Sequence, residues 1–277
     1  MNAFPRTTVG GVSVSRLIVG TNWFLGYSHT SLAKDNFIKA YQTRERIAEV
    51  IETFLARGVD TVMGPASPVL IEAVRLAEQR AGRKVILVLT PAFSLAPECA
   101  AADSPQAAFD FCQKAGATFC LPHQCVTDAL IDRRAGVIRD IDVYTKLIRE
   151  RGMVPGLSTH MPEAVVYADK QNADIQTYIQ LYNSSGFLMQ VEVDWVMKVI
   201  REAKKPVMTI KPLAAGKILP PVGLAFVWAT LRDCDMVTIG TTTVDEAKEC
   251  IDLSLGFLER RGSTVQLQET RSKKSLK

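Results

Sequence analysis

Eight times along this chain a short apolar run ends in a chemically unusual tip and is followed by an amphipathic stretch of helical length. No other feature of the sequence constrains the fold as tightly. Strands separated by helices pair in parallel, because each crossover returns the chain in the same direction. Eight such units in 277 residues match the usual length of a closed barrel. The pattern predicts an α/β protein with one domain, a (β/α)8 TIM barrel over residues 1–260, followed by a polar basic C-terminal tail over 261–277. A doubly wound open sheet is the alternative.

Strands are expected at Leu17–Gly20, Asp60–Met63, Val85–Leu89, Ala117–Leu121, Met153–Leu157, Ile175–Leu181, Val207–Ile210 and Met236–Gly240. The continuous β-branched and leucine run Val85–Leu89 is of the kind buried on both faces of a parallel sheet. Ile47, Val50, Ile51 and Phe54 fall at helical spacing, with Gly58 just past the end of a helix over Thr43–Arg57. Ser104 and Pro105 read as an N-cap and first helical residue. A hairpin around Gly10 and Gly11 would plug the barrel bottom. The segment from Phe24 to Asn36 is the longest βα loop and a candidate lid, with Tyr27 or His29 placed to cover the mouth.

Composition narrows the function. Apolar residues at 47% and charged residues at 22% describe an ordinary soluble globular enzyme. The net charge of +4 owes much to Arg271, Lys273, Lys274 and Lys277 in the tail, so nucleic acid is not an expected partner. Six cysteines without a Cys-x-x-Cys pair give neither a zinc knuckle nor a disulfide framework, and reduced thiols point to the cytoplasm. No basic-then-apolar leader and no apolar run of membrane-spanning length is visible, so a soluble cytoplasmic protein with a small-molecule substrate and no membrane partner is expected. Homo-oligomerisation is left open.

In a barrel of this kind the carboxyl ends of the strands converge on one mouth. The tips offer Lys211, His123 and His160 as catalytic candidates, and Trp23, Gln124, Ser158, Gln180, Tyr182, Asn183, Gly216, Thr241 and Thr242 as substrate contacts. By period-two alternation His123 shares a face with Leu121 and Phe119, and His160 with Ser158 and Gly156. The same rule groups Lys211 with Thr209 and Val207, small side chains suited to a barrel interior. With no acidic tip beside it, Lys211 is expected to be desolvated and to act as a base or an imine former, unless it simply anchors a substrate anion. Against a functional reading, a tip histidine often satisfies only a local backbone group. Carboxylates are scarce at the tips. Only His123, His160 and Cys125 are placed as metal ligands, so no metal is expected. No Gly-x-Gly-x-x-Gly or P-loop occurs. Ala214 to Gly216 and Gly240 to Thr242, beside Lys217, would suit a phosphate-bearing ligand, or merely tight loop packing.

Several short motifs, taken in order, resemble the aldo-keto reductases: Val14-Ser15-Arg16-Leu17 leading to Val19-Gly20-Thr21; Gly156-Leu157-Ser158-Thr159 with Pro162-Glu163; Pro212-Leu213-Ala214-Ala215-Gly216; and Ile239-Gly240-Thr241-Thr242. The resemblance covers about residues 9–258. It implies a barrel that binds NADPH in an extended pose and reduces carbonyls with an Asp, Tyr, Lys and His tetrad. Position by position, Met63 stands where the Asp would be, no tyrosine follows in the next loop, and Thr90 replaces the lysine. His123, in Cys120-Leu121-Pro122-His123, matches. On the cofactor side Ser158 and Glu249 agree, while Thr159 and Cys250 replace asparagines and Ile210 replaces an aromatic residue that stacks on nicotinamide. Loss of the proton donor would remove the general-acid step. The sequence therefore leads to an enzyme acting on a small polar carbonyl or sugar-like compound, phosphorylated or not, by lysine and histidine acid-base or imine chemistry, of lyase or isomerase type and without a cofactor. An NAD(P)H-dependent oxidoreductase with a rearranged proton donor, such as His123 or Tyr182, is the first alternative, and a non-catalytic binding barrel the second.

Overall fold

The computed structural model describes residues 3–96, 100–262, 268, 270 and 273. Most of the expected C-terminal tail, and Cys99, lie outside the described residues. The chain opens with an antiparallel hairpin, β1 (Arg6–Val9) and β2 (Val12–Ser15), in the expected place around Gly10 and Gly11. Four strands follow in the barrel wall: β3 (Leu17–Gly20), β4 (Thr61–Pro65), β5 (Ile86–Thr90) and β6 (Phe119–Cys120). A small surface hairpin, β7 (Ile131–Asp132) and β8 (Val137–Ile138), interrupts the series. The wall resumes with β9 (Val154–Pro155), β10 (Leu157–Thr159), β11 (Tyr178–Leu181), β12 (Val207–Ile210) and β13 (Met236–Gly240).

All pairings in the wall are parallel, in the order β10-β11-β12-β13-β3-β4-β5-β6-β9. The two ends of that order are consecutive pieces of one segment, which is the expected fifth strand. The N–H of Gly156 donates to the Cys120 carbonyl at 3.3 Å, that of Leu157 to Thr177 at 3.1 Å and that of Ser158 to Pro122 at 3.3 Å. Residues 154–159 thus bond to the fourth strand on one side and the sixth on the other, and the barrel closes. Gly156 is needed there, since a Cβ would lie 2.8 Å from both Leu121 Cγ and the Thr177 carbonyl.

Alternation along the strands sorts the core into two layers. Ile18, Met63, Val88, Phe119, Leu121, Ile179, Met208 and Met236 fill the interior, with Val9 and Val14 of the hairpin closing its floor. Leu17, Val19, Leu87, Leu89, Leu157, Val207, Val237 and Ile239 pack outward against the helices. Burying a side chain of this size stabilises the fold by about 1.5–3 kcal/mol.

The helices start and stop where their caps dictate. Thr43 accepts from Arg46 N and opens Arg44–Ala56; Ser104 accepts from Ala107 N and opens Pro105–Ala115, which ends at left-handed Gly116. Thr243 caps the last helix, Val244–Leu258. One expected feature is corrected. The lid segment is largely helical, because Asn22–Leu25 forms a short helix and Ser31 caps a second over Leu32–Tyr41. Between them Asp35 Oδ1 accepts from the Ser28 hydroxyl at 2.5 Å and from its N–H at 2.8 Å, which pins the intervening turn. No helix among the described residues is long and apolar enough to cross a membrane.

Candidate active site

A cavity of about 1100 Å³ opens over the carboxyl ends of the strands. It lies above the upper end of the roughly 300–1,000 Å³ usual for small-ligand sites. From the tips of the fourth and fifth strands it runs past β12 and β13 to the first turns of Val244–Leu258, where Glu246, Glu249 and Cys250 line it.

Lys211 follows β12 directly. That strand is held by polar ties at both registers: buried Asp235 accepts from Val207 N at 2.9 Å, and Thr209 Oγ1 donates to the Met236 carbonyl at 2.9 Å. Met208 faces the interior and Val207 the helices, so simple alternation places Lys211 outside with Val207 and Thr209. The face expected from sequence is corrected here. Lys211 reaches the cavity because its φ is 61°, a left-handed turn that redirects the side chain as the strand ends. His29 (φ 57°) and Ala215 (φ 56°) also line the cavity in this conformation, which costs about 1–2 kcal/mol for each such residue. Strain of this kind is held by surrounding structure and concentrates at functional sites.

The Lys211 amine has neither an ion pair nor a hydrogen bond among the described residues. Burial lowers it from 10.5 to about 8. Around it stand all three histidines of the chain. His160 is pushed down to about 4, by burial first and then by Lys211, His123 and His29. Burial and Lys211 lower His123 and His29 as well. At neutral pH the cluster is therefore one ammonium among neutral imidazoles.

Each imidazole is fixed through its own loop. His123 is the N-cap of Gln124–Thr127, and its Nδ1 accepts from Cys125 N at 3.4 Å and lies 3.1 Å from Cys125 Sγ. A neutral ring accepting at Nδ1 carries its proton on Nε2, which leaves a donor free. His29 Nε2 lies 3.2 Å from Asn22 Nδ2. His160 is placed by Asp128, whose carboxylate accepts from His160 N at 3.1 Å and from the Thr159 hydroxyl. Burial holds the Asp128 carboxyl above its ordinary value despite those bonds. His29 is read from sequence only as a residue that could cover the mouth, not as a partner of the other two histidines, and Asp128 as the brace of His160 is not evident from the sequence. His29 lies about 180 residues from Lys211 in the chain, and nothing in the spacing around Asp128 marks it.

The other candidates divide. Trp23, Gln124, Ser158, Gly216, Thr241 and Thr242 line the cavity. Trp23 packs on the backbone of Gly240, where a Cβ would come within 2.8 Å of its ring. Tyr182 faces outward on the same side as Tyr178, and its hydroxyl donates to Thr230 Oγ1 at 2.9 Å in the helix layer. Asn183 folds over its own loop, accepting from Phe187 N at 2.8 Å and donating to the Phe187 carbonyl at 3.0 Å. Both are removed from the site, because these strand-end groups are spent on packing the sixth unit. Gln180 is buried and does not line the cavity. No group of three or more His, Cys, Asp or Glu among the described residues is arranged to hold a metal.

The fit of a dinucleotide can be judged from the cavity itself. Its length spans the mouth and the start of the last helix, and the Ala214–Gly216 turn leaves it open beside β12. The buried hydroxyls of Thr21 and Thr241 both line it and find no protein partner among the described residues. Such groups await a ligand or water. Ile210 offers an apolar wall, and Thr159, turned toward Asp128, does not enter. These residues fit the group, held by contacts other than an aromatic stack.

No protein-family model matches the chain, and no curated protein matches it by sequence. Solved structures do resemble it. A candidate aldo-keto reductase from Pseudomonas aeruginosa superposes with a TM-score of 0.65 at 14% identity, covering 91% of this chain and 95% of that one. An aldo/keto reductase from Brucella melitensis gives 0.59 at 14% identity over 91% and 93%. An aldo/keto reductase from Klebsiella pneumoniae, in complex with NADP and acetate, gives 0.55 at 14% identity over 99% and 94%. Likeness at that identity speaks for architecture alone. In architecture this chain is a parallel α/β barrel with the fold of the aldo-keto reductases.

Proposed function

We propose that the protein is an oxidoreductase that reduces a small polar or sugar-like carbonyl compound at the expense of a nicotinamide dinucleotide, with Lys211 as the proton donor. The observation that carries this reading is the cavity. It pairs a half-buried lysine poised near 8 with an extension to the last helix that a small substrate alone leaves unused. The likeness to aldo-keto reductases supports the same class over the lyase or isomerase expected from sequence.

A bound dihydronicotinamide would supply the hydride. The chain supplies the rest. His123, with Nε2–H free, donates a hydrogen bond to the carbonyl oxygen and increases the charge separation along the C=O bond. As negative charge develops on that oxygen, the Lys211 ammonium passes it a proton and becomes the neutral amine. The product is the alcohol, and solvent restores the proton to Lys211. An acid that titrates close to the working pH is best suited to this exchange. His160 stays neutral and adds no competing charge. The Ser158 hydroxyl, which has no protein partner among the described residues, is available to orient a substrate hydroxyl.

The test is to follow loss of dihydronicotinamide absorbance with a panel of small aldehydes, ketones and aldoses, for wild type and Lys211→Met. Turnover that disappears in the variant is the expected result. A borohydride-reduced substrate adduct on Lys211, formed without dinucleotide, would instead establish imine chemistry.

A further inference from the structure

The charges lining the cavity are segregated. One end holds Lys211 and the three histidines; the other holds Glu246 and Glu249, and among the described residues no second lysine or arginine lines the space between. Two nearby cations are already engaged elsewhere. Lys217 Nζ sits 3.9 Å from the centre of the Phe187 ring, and Lys248 pairs with Asp245 at 3.4 Å on the outer side of the same helix turn. Neither lines the cavity.

The N-terminus of Val244–Leu258 would by itself favour an anion, because its first N–H groups point outward unpaired. Here that role is taken internally. Glu246 Oε2 accepts from Thr242 N at 2.6 Å, while Thr243 Oγ1 accepts from Glu246 N at 3.2 Å. The carboxylate closes the helix end and leaves its negative charge in the cavity wall. One turn further on, Glu249 forms no hydrogen bond or ion pair among the described residues.

Resting on the reductase reading, we infer that this acidic end selects the dinucleotide without a 2′-phosphate, so that the protein uses NADH in preference to NADPH. Hydride delivery beside Lys211 leaves the far end of the cavity to the adenosine half. A carboxylate there accepts hydrogen bonds from ribose hydroxyls, whereas a 2′-phosphate is normally accommodated by an arginine. A phosphate brings about two further negative charges beside the Glu246 carboxylate, at an end of the cavity lined by no lysine or arginine among the described residues. Glu246 is the specificity residue in this account, because Glu249 agrees with the pattern of a family that binds NADPH and does not count against the 2′-phosphate. Its effect falls on binding and not on the proton transfer.

Isothermal titration of the full chain with NADH and with NADPH reads this without any turnover. Wild type should bind NADH on the order of tenfold more tightly or better, since one charge contact near a protein surface is worth at least that much. Glu246→Arg should move the ratio toward NADPH by about tenfold; Glu246→Gln, whose amide oxygen can still accept from Thr242 N and so keeps the helix start, should move it in the same direction by less, and Glu249→Gln should leave the ratio unchanged. Equal affinities, or NADPH tighter, in wild type would overturn the inference while leaving the reductase reading standing. A wild-type preference for NADH that neither substitution at Glu246 changes would remove that carboxylate as its cause and overturn the inference. Failure of both dinucleotides to bind would refute the reductase reading and the inference together.

Discussion

Replacing Lys211 with methionine should destroy activity and stabilise the fold, two effects of opposite sign from one side chain. The amine titrates near 10.5 when solvated and near 8 in the folded protein, because burial disfavours its charge. Below pH 8 both folded and unfolded states are protonated, and the folded state bears the whole cost of the buried ammonium. Between pH 8 and 10.5 the folded amine has given up its proton while the unfolded one keeps it. Wild-type stability therefore rises with pH across that window. At about 1.4 kcal/mol per pH unit the interval amounts to about 3 kcal/mol, and water contact with the half-buried side chain brings it nearer to about 2 kcal/mol. Methionine keeps the apolar stem and most of the volume, so packing changes little. Urea unfolding should find Lys211→Met about 2 kcal/mol more stable than wild type at pH 7, with the gap closed above pH 10.5. Turnover should fall by about 10²–10⁴, the usual contribution of a general acid. A variant less stable than wild type at pH 7 would mean that a favourable partner holds the ammonium, and the desolvation argument would be wrong. Turnover retained at wild-type level would show that the amine is not the acid.

Three further outcomes are expected. Wild-type kcat for reduction should decline as pH rises through about 8, when Lys211 loses its proton, and should show no inflection from His160 between pH 5 and 7, because that imidazole titrates near 4; a slope in that range abolished by His160→Asn would contradict the assignment. Asp128→Ala strips the acceptor from His160 N and the Thr159 hydroxyl; unfolding should show a loss of about 2–4 kcal/mol, with a drop in kcat that Asp128→Asn partly restores. Gly156→Ala places a methyl 2.8 Å from the Thr177 carbonyl and Leu121 at the closure of the barrel; it should cost about 2–4 kcal/mol, and a variant as stable as wild type would mean the barrel is not closed there.

How well each part could be read from sequence follows from where the chain obeys a local rule. Val207–Ile210 and Met236–Gly240 are found at the expected residues because a buried parallel strand is a run of apolar residues with nothing to confuse it. Residues 153–157 are equally apolar, yet the segment divides at Gly156, since a closed barrel makes one strand bond to different neighbours on its two sides. The segment 24–36 reads as loop from its glycine and serines, although Ser31, three residues before Lys34, is a helix start. The site is less legible than the wall for one physical reason. Alternation holds only while the ladder holds, and the reactive residues sit one step beyond it. His123 and His160 keep the interior face because their strands stay in register to the tip. Lys211 does not: Val207 and Thr209 point outward, and only a left-handed turn that no sequence rule assigns to lysine brings the amine to the histidines. Tyr182 keeps the register of Tyr178 and is carried away from the site by the same alternation that places His123 within it. A barrel mouth is thus read best where the strand continues and worst where the chain turns, and turning is what assembles this one.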